Sequence, residues 1–135
     1  MVLLTGATGF LGSFVLDELL QRGYEVVALF RKENHVIERY PNVQWIRTDL
    51  GKANALEKLP VTSDGIIHLA STLSIQPDIV MKVDIPGMWG LLKKWSQGPF
   101  VFTSSTDVYG PLNIIPANEE HPLAPSNWYG LGKLF

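Results

Sequence analysis

The segment that most constrains this chain is Thr5-Gly6-Ala7-Thr8-Gly9-Phe10-Leu11-Gly12, directly after the apolar run Val2-Leu3-Leu4. It reads as a short buried strand, a glycine-rich turn and a helix over Phe10–Gln21. Gly6 suits a sharp turn needing positive φ, Gly9 admits a ligand close to the backbone, and Gly12 lets helix pack against strand. A pyrophosphate at such a turn meets unpaired N–H groups and the positive end of the helix dipole. Three glycines at this spacing arise by chance, but here they follow a strand and open a helix at the head of a β-α-β pattern.

The remaining chain alternates in the same way. Tyr24–Phe30 is a nearly continuous apolar strand of the kind buried on both faces of a parallel sheet. A short helix is expected over Lys32–Arg39, ended by Tyr40-Pro41, then a strand over Val43–Arg47. Next come a weak helix over Ala53–Lys58 and a strand over Gly65–Leu69. A longer helix spans Pro77–Ser96, where Pro86 and Gly87 predict a kink or a broken start. Phe100–Thr103 is a fifth strand, Ser104–Asn127 a polar, proline-rich loop, and another helix begins near Trp128. The expected fold is a doubly wound, Rossmann-like α/β parallel sheet with strand order 3-2-1-4-5.

With 135 residues, 46% apolar and 18% charged, the composition fits one globular domain. A net charge of −2 argues against a nucleic-acid partner. Without cysteine there is neither a disulfide framework nor a thiolate metal site. His35, His68 and His121 lack metal-ligand spacing. No apolar run reaches membrane-spanning length, and strand one begins at residue 2, so a cytoplasmic protein without a signal peptide is expected. Trp89, Leu91, Leu92 and Trp95 predict a buried or interface face on the long helix. The chain stops about two turns into its last helix without a C-cap, so a C-terminally truncated domain is expected.

Tyr129 and Lys133, four residues apart, share one face of that last helix. A nearby ammonium lowers a phenol's pKa, which suits Tyr129 to proton transfer near neutral pH. A serine at the end of strand five would reach the same substrate oxygen, since open α/β sheets bind ligands at the carboxyl ends of their strands.

These stretches together resemble the N-terminal part of an extended short-chain dehydrogenase/reductase of the NAD-dependent epimerase/dehydratase family. TGATGFLG at 5–12, Asp49-Leu50, His68-Leu69-Ala70-Ser71, TSSTDVYG at 103–110 and YGLGK at 129–133 occur in the family's order. The resemblance implies that Tyr129 is the acid/base, that Lys133 holds the nicotinamide ribose, and that Ser105, aided by Thr106, orients the substrate. It implies a cofactor held by Gly6, Thr8, Gly9, Phe10, Leu11 and Gly12 in the turn. Asp49, Leu50, Leu69, Ala70, Ser71 and Thr103 would complete that site with Tyr129 and Lys133. Glu119, Pro122 and Pro125 resemble a Glu-x-x-Pro-x-x-Pro run of nucleotide-sugar members. The resemblance implies an epimerase, dehydratase or reductase acting by hydride transfer on a nucleotide sugar or related alcohol/ketone, and dimerisation through the long helix and the tyrosine helix. His68 is expected beside the cofactor as a strand-end residue.

Two departures stand out. Asp84 occupies the place of an asparagine that supports the family's active site, and a carboxylate cannot donate as an amide does. The family's C-terminal part, which builds most of the substrate pocket, has no counterpart in the 135 residues. At the end of strand two, Arg31 suits a 2′-phosphate, so NADP is expected ahead of NAD. Two other readings stay open: a dihydroflavonol-reductase-like NADP-dependent carbonyl reductase, and a catalytically silent dinucleotide-binding fragment.

Overall fold

The computed structural model describes residues 1–60, 63–95 and 98–135. Five parallel strands, β1 (Val2–Thr5), β2 (Val26–Phe30), β3 (Gln44–Arg47), β4 (Gly65–His68) and β5 (Phe100–Phe102), form one sheet in the order β3-β2-β1-β4-β5. The expected order is therefore the observed one. Strands β1 and β2 are almost wholly buried, which fits their unbroken apolar sequences in the middle of a sheet covered on both faces. The register pairs Leu3 with Val27 on one side and with Ile66 on the other. One core layer gathers Leu3, Val27, Leu29, Leu59, Ile66, Leu91 and Trp95; the opposite layer gathers Leu4, Ala7, Leu16, Val26, Ala28, Val36 and Val43.

Helix α1 spans Phe10–Gln21, as its sequence pattern predicts. Its seat depends on two glycines. Gly6 has φ +74°, and a Cβ there would lie 2.7 Å from the Ala70 nitrogen. A Cβ on Gly12 would overlap the Gly6 carbonyl oxygen, so the first helical turn rests directly on the turn backbone.

Other boundaries moved. Helix α2 covers only His35–Arg39, because the Asn34 side chain accepts from Val36 N–H and fixes the start there rather than at Lys32. The expected helix over Ala53–Lys58 is instead a run of turns closed by bonds of the i to i+3 type, such as Ala55 N–H to Lys52 C=O. Asn54 and the single turn-length segment offer too little to propagate an α-helix.

The long helix begins at Pro77 and continues in three pieces: α3 (Pro77–Ile79), a π turn (Val80–Asp84) and α4 (Ile85–Lys94). The expected interruption at Pro86 thus takes the form of a π turn. Ile85 N–H reaches back five residues to Val80 C=O, and Pro86, which has no N–H to donate, falls where the bonding pattern reverts to α. Met81 and Lys82 lie exposed, so carbonyls left over at this junction can meet water. The predicted helix end at Ser96 lies outside the described residues. The apolar face of α4 is divided: Leu91 and Trp95 enter the core, whereas Trp89 and Leu92 face outward. Helix α5 spans Trp128–Leu134, capped by the Asn127 side chain accepting from Gly130 N–H at 2.7 Å. Among the described residues no helix is long and apolar enough to cross a membrane.

Replacing Gly12 by alanine forces α1 away from the turn and should destabilise the chain by about 2–4 kcal/mol, read as a lower urea midpoint with unchanged slope. An unshifted midpoint would show that the helix can reseat without loss.

Candidate active site

Strand order reverses between β1 and β4, and the crevice at their carboxyl ends opens into a cavity of about 490 Å³. That size lies within the usual range for small-molecule and cofactor sites. One wall is the glycine turn, through Gly6, Thr8, Gly9, Phe10, Leu11 and Gly12. Arg31 after β2 and Asp49 with Leu50 after β3 line the far end. Leu69, Ala70 and Ser71 after β4, and Thr103 after β5, line the near end with Tyr129 and Lys133 from α5. The fold thus brings every expected cofactor residue to one cavity.

Ser105 is placed apart from it. It lies at the start of a 3₁₀ turn (Thr106–Val108), off the cavity wall, and its Oγ accepts from Asp107 N–H at 3.2 Å. The serine turn is nevertheless tied to the tyrosine helix. Asn127 Nδ2 donates to Asp107 Oδ2 at 3.1 Å while its Oδ1 caps α5. Gly130 adds close packing, since a Cβ there would come within 2.5 Å of the Asp107 carbonyl oxygen.

Lys133 is largely buried, and its Nζ donates to Thr103 C=O at 2.9 Å. The ammonium lies 4.7 Å from the centre of the Phe102 ring and 5.9 Å from that of Tyr129. Burial pushes its pKa below the ordinary lysine value, and the Asp84 carboxylate acts in the opposite direction.

Sequence reasoning placed His68 beside the cofactor but missed what holds it. Thr5 and His68 are register partners across β1 and β4, and Thr5 Oγ1 lies 2.6 Å from His68 Nδ1. The same Oγ1 accepts from Ala70 N–H at 3.1 Å, leaving the hydroxyl proton for Nδ1. The ring stacks on Phe102 with centroids 5.6 Å apart. Burial, with Lys133 nearby, lowers its pKa to about 4 against the partial offset of Asp84, so the imidazole is neutral at neutral pH. Only knowledge of the β1–β4 register could have paired Thr5 with His68.

Asp84 was legible as a departure from the family's asparagine, though not its partner. Its Oδ1 accepts from Thr72 N–H at 2.8 Å, and its Oδ2 accepts from the Thr72 hydroxyl. Both residues line the cavity.

His68 also predicts a pH response. The folded pKa of about 4 lies below the unfolded value of 6.5, so the unfolded chain takes up the proton first as pH falls. Its contribution is intact above pH 6.5 and is lost between there and pH 4, to a total of about 3 kcal/mol. Urea melts across this window should show that slope in the wild type and a flatter one in His68→Gln.

Known proteins place this architecture. A model of the NAD dependent epimerase/dehydratase family matches residues 2–135. A putative UDP-glucose 4-epimerase of Methanocaldococcus jannaschii is 29% identical over 98% of this chain and 47% of its own length. The UDP-glucose 4-epimerase of Bacillus subtilis is 30% identical over 98% of the chain and 44% of its own length. Among solved structures, a short-chain dehydrogenase/reductase superfamily protein of Agrobacterium tumefaciens with bound NAD superposes with a TM-score of 0.85 at 28% identity. It is matched over 99% of this chain and 42% of its own. MoeE5 in complex with UDP-glucose and NAD gives a TM-score of 0.81 at 28% identity, over 98% of this chain and 45% of its own. The chain therefore spans somewhat under half the length of the relatives it matches, and it belongs to the NAD dependent epimerase/dehydratase family.

Proposed function

We propose that residues 1–135 are the dinucleotide-binding part of an NAD-dependent nucleotide-sugar epimerase. The observation that carries this reading is the convergence of the glycine turn, Tyr129 and Lys133 on one cavity at the strand-order reversal. The residues present suit the cofactor. A pyrophosphate can approach the start of α1 because Gly9 bears no side chain; a Cβ there would meet only the Gly6 carbonyl oxygen, at 3.3 Å. When bound, NAD supplies a reversible hydride acceptor. Lys133, steadied by Thr103 C=O, keeps further N–H groups for ribose hydroxyls. Tyr129, on the same wall, takes the proton of the sugar hydroxyl being oxidised and later returns it. Ser105 lies off this cavity wall, tied to the tyrosine helix through Asp107 and Asn127. It accepts from Asp107 N–H and keeps its own hydroxyl proton, so its contact with substrate would have to be made outside that cavity.

The UDP-glucose 4-epimerases among the relatives support a UDP-sugar substrate. The relatives with bound NAD support NAD as the cofactor. Arg31 lines the cavity and, from the sequence, suggests NADP. The relatives with a bound dinucleotide hold NAD and lend the 2′-phosphate no specific support, so NAD is proposed in its place.

Calorimetric titration should show NAD binding, and NADP weaker or absent. In a full-length protein carrying this part, conversion of UDP-glucose to UDP-galactose should fall at least about 100-fold in Tyr129→Phe, with NAD affinity nearly unchanged. Failure to bind either dinucleotide would overturn the cofactor reading; unaltered turnover in Tyr129→Phe would overturn the proton-transfer assignment.

A further inference from the structure

Four charged side chains line the cavity among the described residues: Arg31, Asp49, Asp84 and Lys133. They divide by their place in the sheet. Arg31 and Asp49 follow β2 and β3, whereas Asp84 and Lys133 lie on the side of β4 and β5 with Tyr129. His68 stands in that second half as well but is neutral. Among the described residues, Asp84 is therefore the single anionic group facing the half of the cavity that holds Tyr129 and Lys133.

Its orientation is built in. The π turn brings Asp84 to the cavity immediately before α4, and Thr72 occupies both carboxylate oxygens, one through its N–H and one through its hydroxyl. The carboxylate is consequently fixed, and in a partly buried site its charge acts over several ångströms with little screening. Lys133 does not cancel it by direct pairing, because its Nζ is bonded to Thr103 C=O and lies over Phe102.

A nicotinamide ring is positively charged when oxidised and uncharged when reduced. Resting on the dinucleotide reading above, we infer that Asp84 is a specificity-determining residue for cofactor redox state, its carboxylate favouring the oxidised over the reduced form. Such a bias keeps the site loaded with the form able to accept hydride from a sugar alcohol. A reductase, which must begin each turnover with the reduced form, would gain nothing from it.

Two substitutions separate charge from architecture. Asp84→Asn removes the charge yet can keep both bonds to Thr72, its Oδ1 accepting from the N–H and its Nδ2 donating to the hydroxyl. Thr72→Val removes one bond and leaves the charge. The 135-residue chain and both variants, checked for folding by circular dichroism, are titrated with NAD⁺ and with NADH at neutral pH. Asp84→Asn should weaken NAD⁺ relative to NADH by about ten- to thirtyfold, the scale of one charge acting across roughly 8–12 Å at an effective dielectric near 20. Thr72→Val should leave the ratio of the two affinities unchanged, even if both fall. A ratio in Asp84→Asn within about twofold of wild type, or an equal change in Thr72→Val, would overturn the inference while leaving the dinucleotide site intact. A folded wild-type chain that binds neither form would overturn both readings.

Discussion

The arrangement depends on one close contact, the first turn of α1 lying against the Gly6 carbonyl with no side chain at Gly12 to hold it off. That approach brings the helix N-terminus to the carboxyl end of β1, beside the point where strand order reverses. A methyl group there would move the helix dipole, the turn amides and the wall formed by Phe10 and Leu11 together. The second glycine constraint, at Gly6, presses the same turn against Ala70 after β4. Two missing side chains thus fix three elements around one crevice, and the chemistry-bearing residues of β4, the π turn and α5 assemble around what they hold in place.

Electrostatics in that crevice is a balance among buried groups. Lys133 loses basicity by burial, and Asp84 partly restores it; His68 is kept neutral by the same burial with Lys133 nearby. Each polar group has a local tether: Thr103 for Lys133, Thr5 for His68, Thr72 for Asp84. Three threonine residues, two through their hydroxyls and one through its carbonyl, orient groups that would otherwise be costly to bury. The serine turn joins this frame through Asp107 and Asn127, so the positions of Ser105 and Tyr129 are linked through side chains that carry out no chemistry themselves.

Much of this was legible in the sequence where local pattern and chemistry coincide. The glycine turn, the two buried strands, α1 and the i, i+4 placement of Tyr129 and Lys133 follow from spacing alone. Short elements were less readable: α2 begins at a side-chain cap, and 53–58 closes as successive turns, because a few residues cannot sustain a helix on propensity. The tethers were hidden for another reason. Thr5–His68 spans 63 positions and exists only once β1 and β4 are in register; Thr72–Asp84 requires the π turn. The placement of Ser105 off the cavity wall likewise depends on how its own backbone turns.

The π turn has a further implication for how this helix accommodates changes of length. It amounts to one residue more than an α-helix would carry between Val80 and Ile85. Deleting a residue there would let the helix close as regular α, but it would rotate everything on one side by about 100° relative to the other. Either Asp84 would leave Thr72 or Leu91 and Trp95 would leave the core. The extra residue acts as a phase adjuster, allowing one helix to present a cavity face before Pro86 and a core face after it.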